Sequence, residues 1–219
     1  MFKNCLNAQA NGTTISPVPA IGVPDHIEPS HGMIKFTVRD IDMPDSKMSR
    51  RSELSYPPEH FGQRRSYKFK YLIPSDWVDE LGGLESIFQM HGSEGSVDTG
   101  TRSPCFALLI SGENMIVQTR SDSAFATTSN PQPTDVVGWV IEKGKVVDFE
   151  LQAKWSFGAD GETSIYKDGS LVFQSTGPNC YNDTHGPYPK LGIYHWQEFP
   201  SYIHTQTLFM SDLVITDVP

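Results

Sequence analysis

The sequence predicts an all-β protein, an antiparallel sandwich of the jelly-roll kind. Three observations carry that reading. Beyond residue 30 the chain is mostly short runs in which apolar and polar residues alternate, the period of a half-buried strand. Gly, Asn, Asp and Pro clusters separate the runs and mark turns. One stretch only, "PSDWVDELGG" (74–83), has helical character, with Ser75 placed to cap and Gly82 to end a turn or two. At 219 residues, many short strands and one short helix fit a single domain over 1–219.

Taken in order, residues 16–30 carry Pro17, Pro19, Pro24 and Pro29 and read as an extended lead-in. In "RRSEL", Arg51 and Glu53 share one strand face. "SYKFKYLIP" sets Tyr67, Phe69, Tyr71 and Ile73 against Lys68 and Lys70. "ESIFQMH" puts Gln89 and His91 on one side and Phe88 and Met90 on the other. "CFALLISGENMIVQTR" is two strands around a Ser-Gly-Glu-Asn turn, and "KVVDFELQAKWSF" buries Val147, Phe149, Leu151 and Ala153. "TSIYKDGSLVFQS" is a hairpin around Asp168-Gly169, a dipeptide that tolerates positive φ. "YPKLGIYHW" and "TLFMSDLVIT" complete the strands. The stretches 92–103 and 121–138 read as loops, either plain connections or lids over a groove.

A net charge of −9 and a pI of about 5.2 argue against nucleic acid or an anionic membrane as partner. Yet Lys47, Arg50, Arg51, Arg64, Arg65, Lys68 and Lys70 concentrate seven of the 17 basic residues between 47 and 70, either a place to hold an anion or a basic surface loop. Cys5, Cys105 and Cys180 are too few for a disulfide framework. No apolar run has transmembrane length, and the N-terminus lacks the apolar core of a secretory signal. The protein is then either not exported by that route or given as a mature form.

Three segments carry candidate chemistry. In the first, Glu53 can hold the Arg51 guanidinium while Arg51 binds a carboxylate. In the second, Gln89 and His91 point together. In the third, Lys190, Gly192, Tyr194 and Trp196 share a face, and Gly192 either leaves room for a ligand ring or marks a bulge. Alone, the first two read as a polar strand surface. Together they supply Arg, Gln, His, Lys and Tyr without paired catalytic carboxylates. That set suits β-elimination on a uronic-acid polysaccharide. Arg and an amide neutralise the sugar carboxylate and stabilise the enolate-like anion. Neutral His, with an ordinary pKa of about 6.5, is a reasonable base, and Tyr, at about 10, a reasonable acid. Tyr could serve as base too if a cation such as Lys190 lowered its pKa.

"RSEL", "QMH" and "KLGIY", in this order, resemble motifs of the jelly-roll polysaccharide lyases. RSEL, Q-x-H and K-x-G-x-Y elements are similar to those of alginate lyases. "YKFKYLIPSDW", "IFQMHG" and "GPNCYND" leading to "YPKLGIY" look closer to the glucuronan lyase and heparin lyase-like branch. The resemblance spans roughly 33 to 216. It implies a concanavalin A-like jelly roll with a concave groove, an anionic polysaccharide partner, an extracellular setting and a monomer. Glucuronan ranks first as substrate and alginate next. Arg51 and Gln89 would neutralise the carboxylate, with His91 as base or neutralising partner and Tyr194 as acid, or as acid and base together. Lys190 would line the subsite, with Glu53, His60, Lys68, Lys70 and Trp196 as further substrate-side residues. His60 is the alternative base, and His195, on the face opposite Tyr194, is structural. The chemistry needs no metal, although related lyases hold a structural calcium and Asp160, Asp168 and Asp183 lie in oxygen-rich loops. A lectin-like binding module and a glycoside hydrolase of the same fold are the rival readings. A hydrolase would need two carboxylates flanking the bond.

Overall fold

A computed structural model describes residues 8–11, 13–15, 18–20, 26–39, 50–78, 83–93, 102–196 and 204–219. Its strands are β1 (Ala8–Ala10), β2 (Thr13–Ile15), β3 (Val18–Ala20), β4 (Ile27–Ser30), β5 (Met33–Val38), β6 (Arg51–Ser55), β7 (Arg64–Leu72), β8 (Glu85–His91), β9 (Phe106–Ser111), β10 (Asn114–Thr119), β11 (Thr134–Val140), β12 (Val146–Lys154), β13 (Glu162–Lys167), β14 (Ser170–Thr176), β15 (Tyr188–His195), β16 (Gln206–Met210) and β17 (Val214–Asp217). They form two sheets. One runs β14-β13-β12-β7-β16-β5-β4, with β17, β1 and β2 attached beside β7, and the other runs β11-β10-β9-β8-β15-β6-β3. The described residues contain no α-helix. Of the stretch expected to be helical, Pro74–Val78 forms a turn in which the Trp77 N–H donates to the Pro74 carbonyl (3.1 Å), and 79–82 lie outside the described residues. Cys5, Lys47 and residues 94–101 of the first expected loop lie outside them too.

Alternation places the core correctly. Val147, Phe149, Leu151 and Ala153 are buried, as are Tyr67, Phe69, Tyr71 and Ile73 facing them across the β7–β12 ladder. Phe88, from the other sheet, fills the space between the layers. Its ring meets those of Phe69 (5.0 Å), Phe106 (6.1 Å), Phe149 (6.3 Å) and Tyr67 (6.5 Å). A buried side chain of this size stabilises by roughly 1.5–3 kcal/mol, and this one pins β8 between four rings. Asp168 (φ 49°) and Gly169 (φ 76°) make the predicted two-residue hairpin turn.

Two elements differ from expectation. Thr134–Val140, which overlaps the end of the expected loop 121–138, is the edge strand β11, whose β-branched residues and Trp139 pair with β10. "TLFMSDLVIT" is two strands, not one. Ser211 breaks the run where its Oγ accepts the Lys70 N–H (2.8 Å) and its own N–H donates to the Lys70 carbonyl (2.9 Å). The chain then returns to β7 as β17.

Three register shifts shape the seven-stranded sheet, one of them between β10 and β11 at Val117/Gln118. Against β9, β8 carries Ile87 as an extra residue, and β15 gains a residue over β8 between Leu191 and Tyr194. Such bulges bend a strand and increase its twist.

Candidate active site

Register brings the three candidate segments together. Along β6 and β15, Tyr194 lies opposite Arg51 and Gly192 opposite Glu53. Along β15 and β8, Lys190 lies opposite Gln89 and Tyr188 opposite His91. Directly paired residues point to one side, so all of these face away from the core. That face is a recess. Gln89 is 0 % exposed and Glu53 1 %, although neither points into the apolar interior.

Glu53 organises one half of the recess. Its carboxylate accepts a hydrogen bond from the Gln89 amide nitrogen and lies 3.8 Å from Arg51 Nη1. Burial pushes its pKa above the ordinary carboxylate value, against the pull of Lys190, Arg51 and Gln89. The Arg51 guanidinium lies over the Tyr194 ring at 4.1 Å, a cation–π contact. Lys190 Nζ also lies 5.4 Å from the Tyr188 ring and acts on Glu53. Arg51 is thus a cation at Tyr194 that the sequence reading, which named Lys190, did not supply.

His91 stands at the other end of this row. Its Nδ1 is 3.0 Å from the Gly92 carbonyl oxygen. A carbonyl only accepts, so this hydrogen bond puts the hydrogen on Nδ1 and leaves the lone pair of the neutral ring on Nε2, free in kind to take a proton. Tyr188 packs against the imidazole, ring centroids 5.4 Å apart. Behind them stands a wall that sequence reasoning left without a role. Arg102 makes a two-point ion pair with Asp183 (2.6 and 3.2 Å) and lies over the Tyr181 ring (4.7 Å). The Tyr181 hydroxyl donates to the Ser103 carbonyl (2.7 Å). A Cβ on Gly92 would lie 2.7 Å from Tyr181 Cδ2 and 2.9 Å from Asp183 Oδ2, so Gly92 must be glycine for the wall to close.

Gly192 has a backbone reason. Its φ of +136° is one that side-chain-bearing residues rarely adopt, and a Cβ there would lie 2.1 Å from the Ser52 carbonyl oxygen. Of the two readings of Gly192, the bulge is the one supported, and room for a ligand ring is not needed to explain it.

Other expected residues fall elsewhere. Lys68 and Lys70 lie on the outer face of the ten-stranded sheet, 56 % exposed, paired with Glu150 (3.1 Å) and Asp148 (3.4 Å). They belong to the opposite layer because β7 pairs β12 and not the site strands. The basic segment is thus no single anion site. Arg65 meets Glu59 (3.1 Å) and Arg64 meets Glu162 (3.5 Å), and of the expected site cations in that segment Arg51 alone lies in the recess. His60 is exposed in the connection between β6 and β7. His195 is buried with Glu85 (3.9 Å), and burial together with Arg50 lowers its pKa to about 3, so it is neutral and structural. Asp160, Asp168 and Asp183 are engaged by Lys154, Lys167 and Arg102 respectively, and among the described residues no three metal-ligand side chains converge.

Sequence reasoning also passed over β10. Gln118 is linked through Ala107 to Gln89 by direct pairing and so faces the same recess. Arg120, one alternation further, donates from Nη2 to Gln118 Oε1 (3.2 Å) and lies 5.3 Å from the Trp196 ring. The same strand alternation that found Gln89 would have found both.

Residues 26–213 match a family model described as polysaccharide lyase. No curated protein matches the sequence. Among solved structures, an endo-β-1,4-glucuronan lyase from the fungus Trichoderma reesei aligns over 97 % of this chain and 94 % of its own, at 14 % identity and a TM-score of 0.70. An alginate lyase of polysaccharide lyase family 7 aligns over 100 % and 95 %, at 13 % identity and 0.64. An alginate lyase from Pseudomonas aeruginosa aligns over 90 % and 87 %, at 17 % identity and 0.61. At such identities the likeness is one of fold.

Proposed function

The chain belongs to the polysaccharide lyase family, and we propose that it cleaves a uronic-acid polymer by β-elimination, with glucuronan the first candidate and alginate the second. The observation that carries this reading is the row Arg51–Tyr194–Gln89–His91 on one sheet face, with His91 in the tautomer of a base.

In this reading Arg51 and Gln89 receive the carboxylate of the sugar to be opened. Glu53 holds both from behind, so the donors are fixed before the substrate arrives. One Nε2 hydrogen of Gln89 is taken by Glu53, and the other serves the ligand. His91 Nε2 takes the ring proton beside the neutralised carboxylate. Tyr194 gives its hydroxyl proton to the departing glycosidic oxygen, and the Arg51 guanidinium over its ring stabilises the phenolate that remains. The two electrons of the broken C–H bond become the new ring double bond as the C–O bond breaks. No step needs a metal. A polymeric substrate of this kind fits an extracellular setting, and a monomer suffices because every residue of the row comes from one chain.

The test is to offer glucuronan, alginate and heparin-type chains and to follow ultraviolet absorbance from the new double bond between pH 5 and 9. Absorbance rising with chain scission is expected on at least one of them. Binding without absorbance would favour a lectin, and new reducing ends without absorbance a hydrolase. Asp148 and Glu150, the carboxylates a hydrolase reading would use, are paired with lysines on the other layer.

A further inference from the structure

Arg120 is 6 % exposed, yet its Nε and Nη1 have no hydrogen-bond partner, and no carboxylate lies within ion-pair distance of it among the described residues. The indole Nε1 of Trp196, whose ring lies 5.3 Å from the guanidinium, is likewise buried and without partner. Burying a cation with no ion-pair partner is unfavourable, and leaving hydrogen-bond donors unpaired adds to that. Asp135, opposite Gln118 on β11, attracts the guanidinium from beyond ion-pair distance, and Gln118 Oε1 takes one of its hydrogens; Nε and Nη1 keep theirs. Every orphaned atom here is a donor. A group that only accepts, and is negative, would satisfy all of them at once.

We infer that Arg120, Trp196 and Gln118 form a second carboxylate-binding position on the same recess, taking the acid group of another sugar residue of the bound chain. The inference rests on the uronic-acid reading above and deepens it. Gln118 lies two strand spacings from Gln89, about 10 Å, too far to share one carboxylate with it. The position therefore reads charge away from the bond that breaks, and contributes binding rather than chemistry. Trp196 follows the last residue of β15, and its backbone N–H is tied to the Leu84 carbonyl (3.1 Å), which holds the indole beside Arg120.

The experiment is calorimetric. Hexamers of glucuronate and of mannuronate, and the same hexamers with their carboxyl groups reduced to alcohols, are titrated into the Tyr194→Phe protein, which cannot complete the cleavage. Arg120→Gln on that background is expected to weaken binding of at least one acidic hexamer by ~10-fold or more, the size of a lost charge-assisted hydrogen bond, and to leave its reduced counterpart within twofold. Arg120→Lys, which keeps the charge and loses the fork, is expected to recover part of the affinity. Equal losses on acidic and reduced hexamers would mean a structural role and overturn the inference, as would no loss, or no binding of either acidic hexamer to the parent. If charge discrimination persists while the native sequence yields no ultraviolet signal on any polymer, the elimination reading falls and this position stands.

Discussion

The outer faces of the two sheets look alike in sequence and behave oppositely in the structure. "YKFKYL" on β7 and "YPKLGIY" on β15 both set polar residues against an apolar stripe. On β7 the polar residues are Lys68 and Lys70, over half exposed, and they border a cavity of about 500 Å³ that also contains Asp148, Glu150 and Asp212. Both lysines there already have carboxylate partners. On β15 and its neighbours Glu53, Gln89, Gln118, Arg120 and Lys190 are sunk to 8 % exposure or less, and Arg120, Trp196 and Gln89 keep atoms without hydrogen-bond partners. Volume alone does not mark a site. A cluster of buried polar side chains on one sheet face, several with donors left over, is the better pointer.

The largest expected effect comes from the two proposed proton-transfer groups. His91→Ala and Tyr194→Phe should each lower kcat by roughly 10²–10⁴-fold with little change in melting temperature. Gly192→Ala comes next, as a folding defect: its Cβ meets backbone at an unfavourable φ, and chemical denaturation should show a loss of about 3 kcal/mol or more. Gly92→Ala, which presses on Tyr181 and Asp183, should displace the carbonyl that orients His91. It should lower kcat by ~10-fold or more, with KM moving less. The smallest effect belongs to the other face. Lys68→Ala and Lys70→Ala should alter stability by less than ~0.5 kcal/mol and leave kcat/KM unchanged. A large activity loss there would erase the contrast between the faces.

Two buried groups should bend the stability curve in opposite directions. Burial lifts the Glu59 carboxyl to about 7, above its ordinary 4.5, so the stability linked to its proton is full below pH 4.5 and is lost as pH rises through 7. His195, held down to about 3 from 6.5, contributes stability present above pH 6.5 and lost as pH falls toward 3. Denaturation followed across pH should show Glu59→Gln flattening the alkaline limb and His195→Gln the acid limb.

Much of this was legible in the chain. Alternation located the core of β7, β8 and β12, and the same alternation put Gln89 with His91 and Lys190 with Tyr194. What it could not supply was sheet membership. Lys68 and Lys70 obey the same rule as Lys190, and only pairing with β12 shows that they serve the other layer. Nor could it give contacts between residues distant in sequence: Arg120 under Trp196, Arg102 on Asp183, or Arg51 against Tyr194. Gly192 was visible as an anomaly, but its cause, a carbonyl on β6, belongs to a strand some 140 positions earlier.

The extra residue at Ile87 gives β8 a change of phase. Ile87 and Phe88 both join the core, so Glu85, two places before Ile87 and four before Gln89, turns inward to His195, where strict alternation would have turned it out. The strand is thereby keyed at both ends, by Phe88 among its four rings and by Glu85 beneath the sheet. Sliding β8 by one residue would drive an amide into hydrocarbon and a phenyl ring into water. Gln89 and His91 are thus indexed from within the strand itself, and the connections on either side of it are at liberty to change length without moving them.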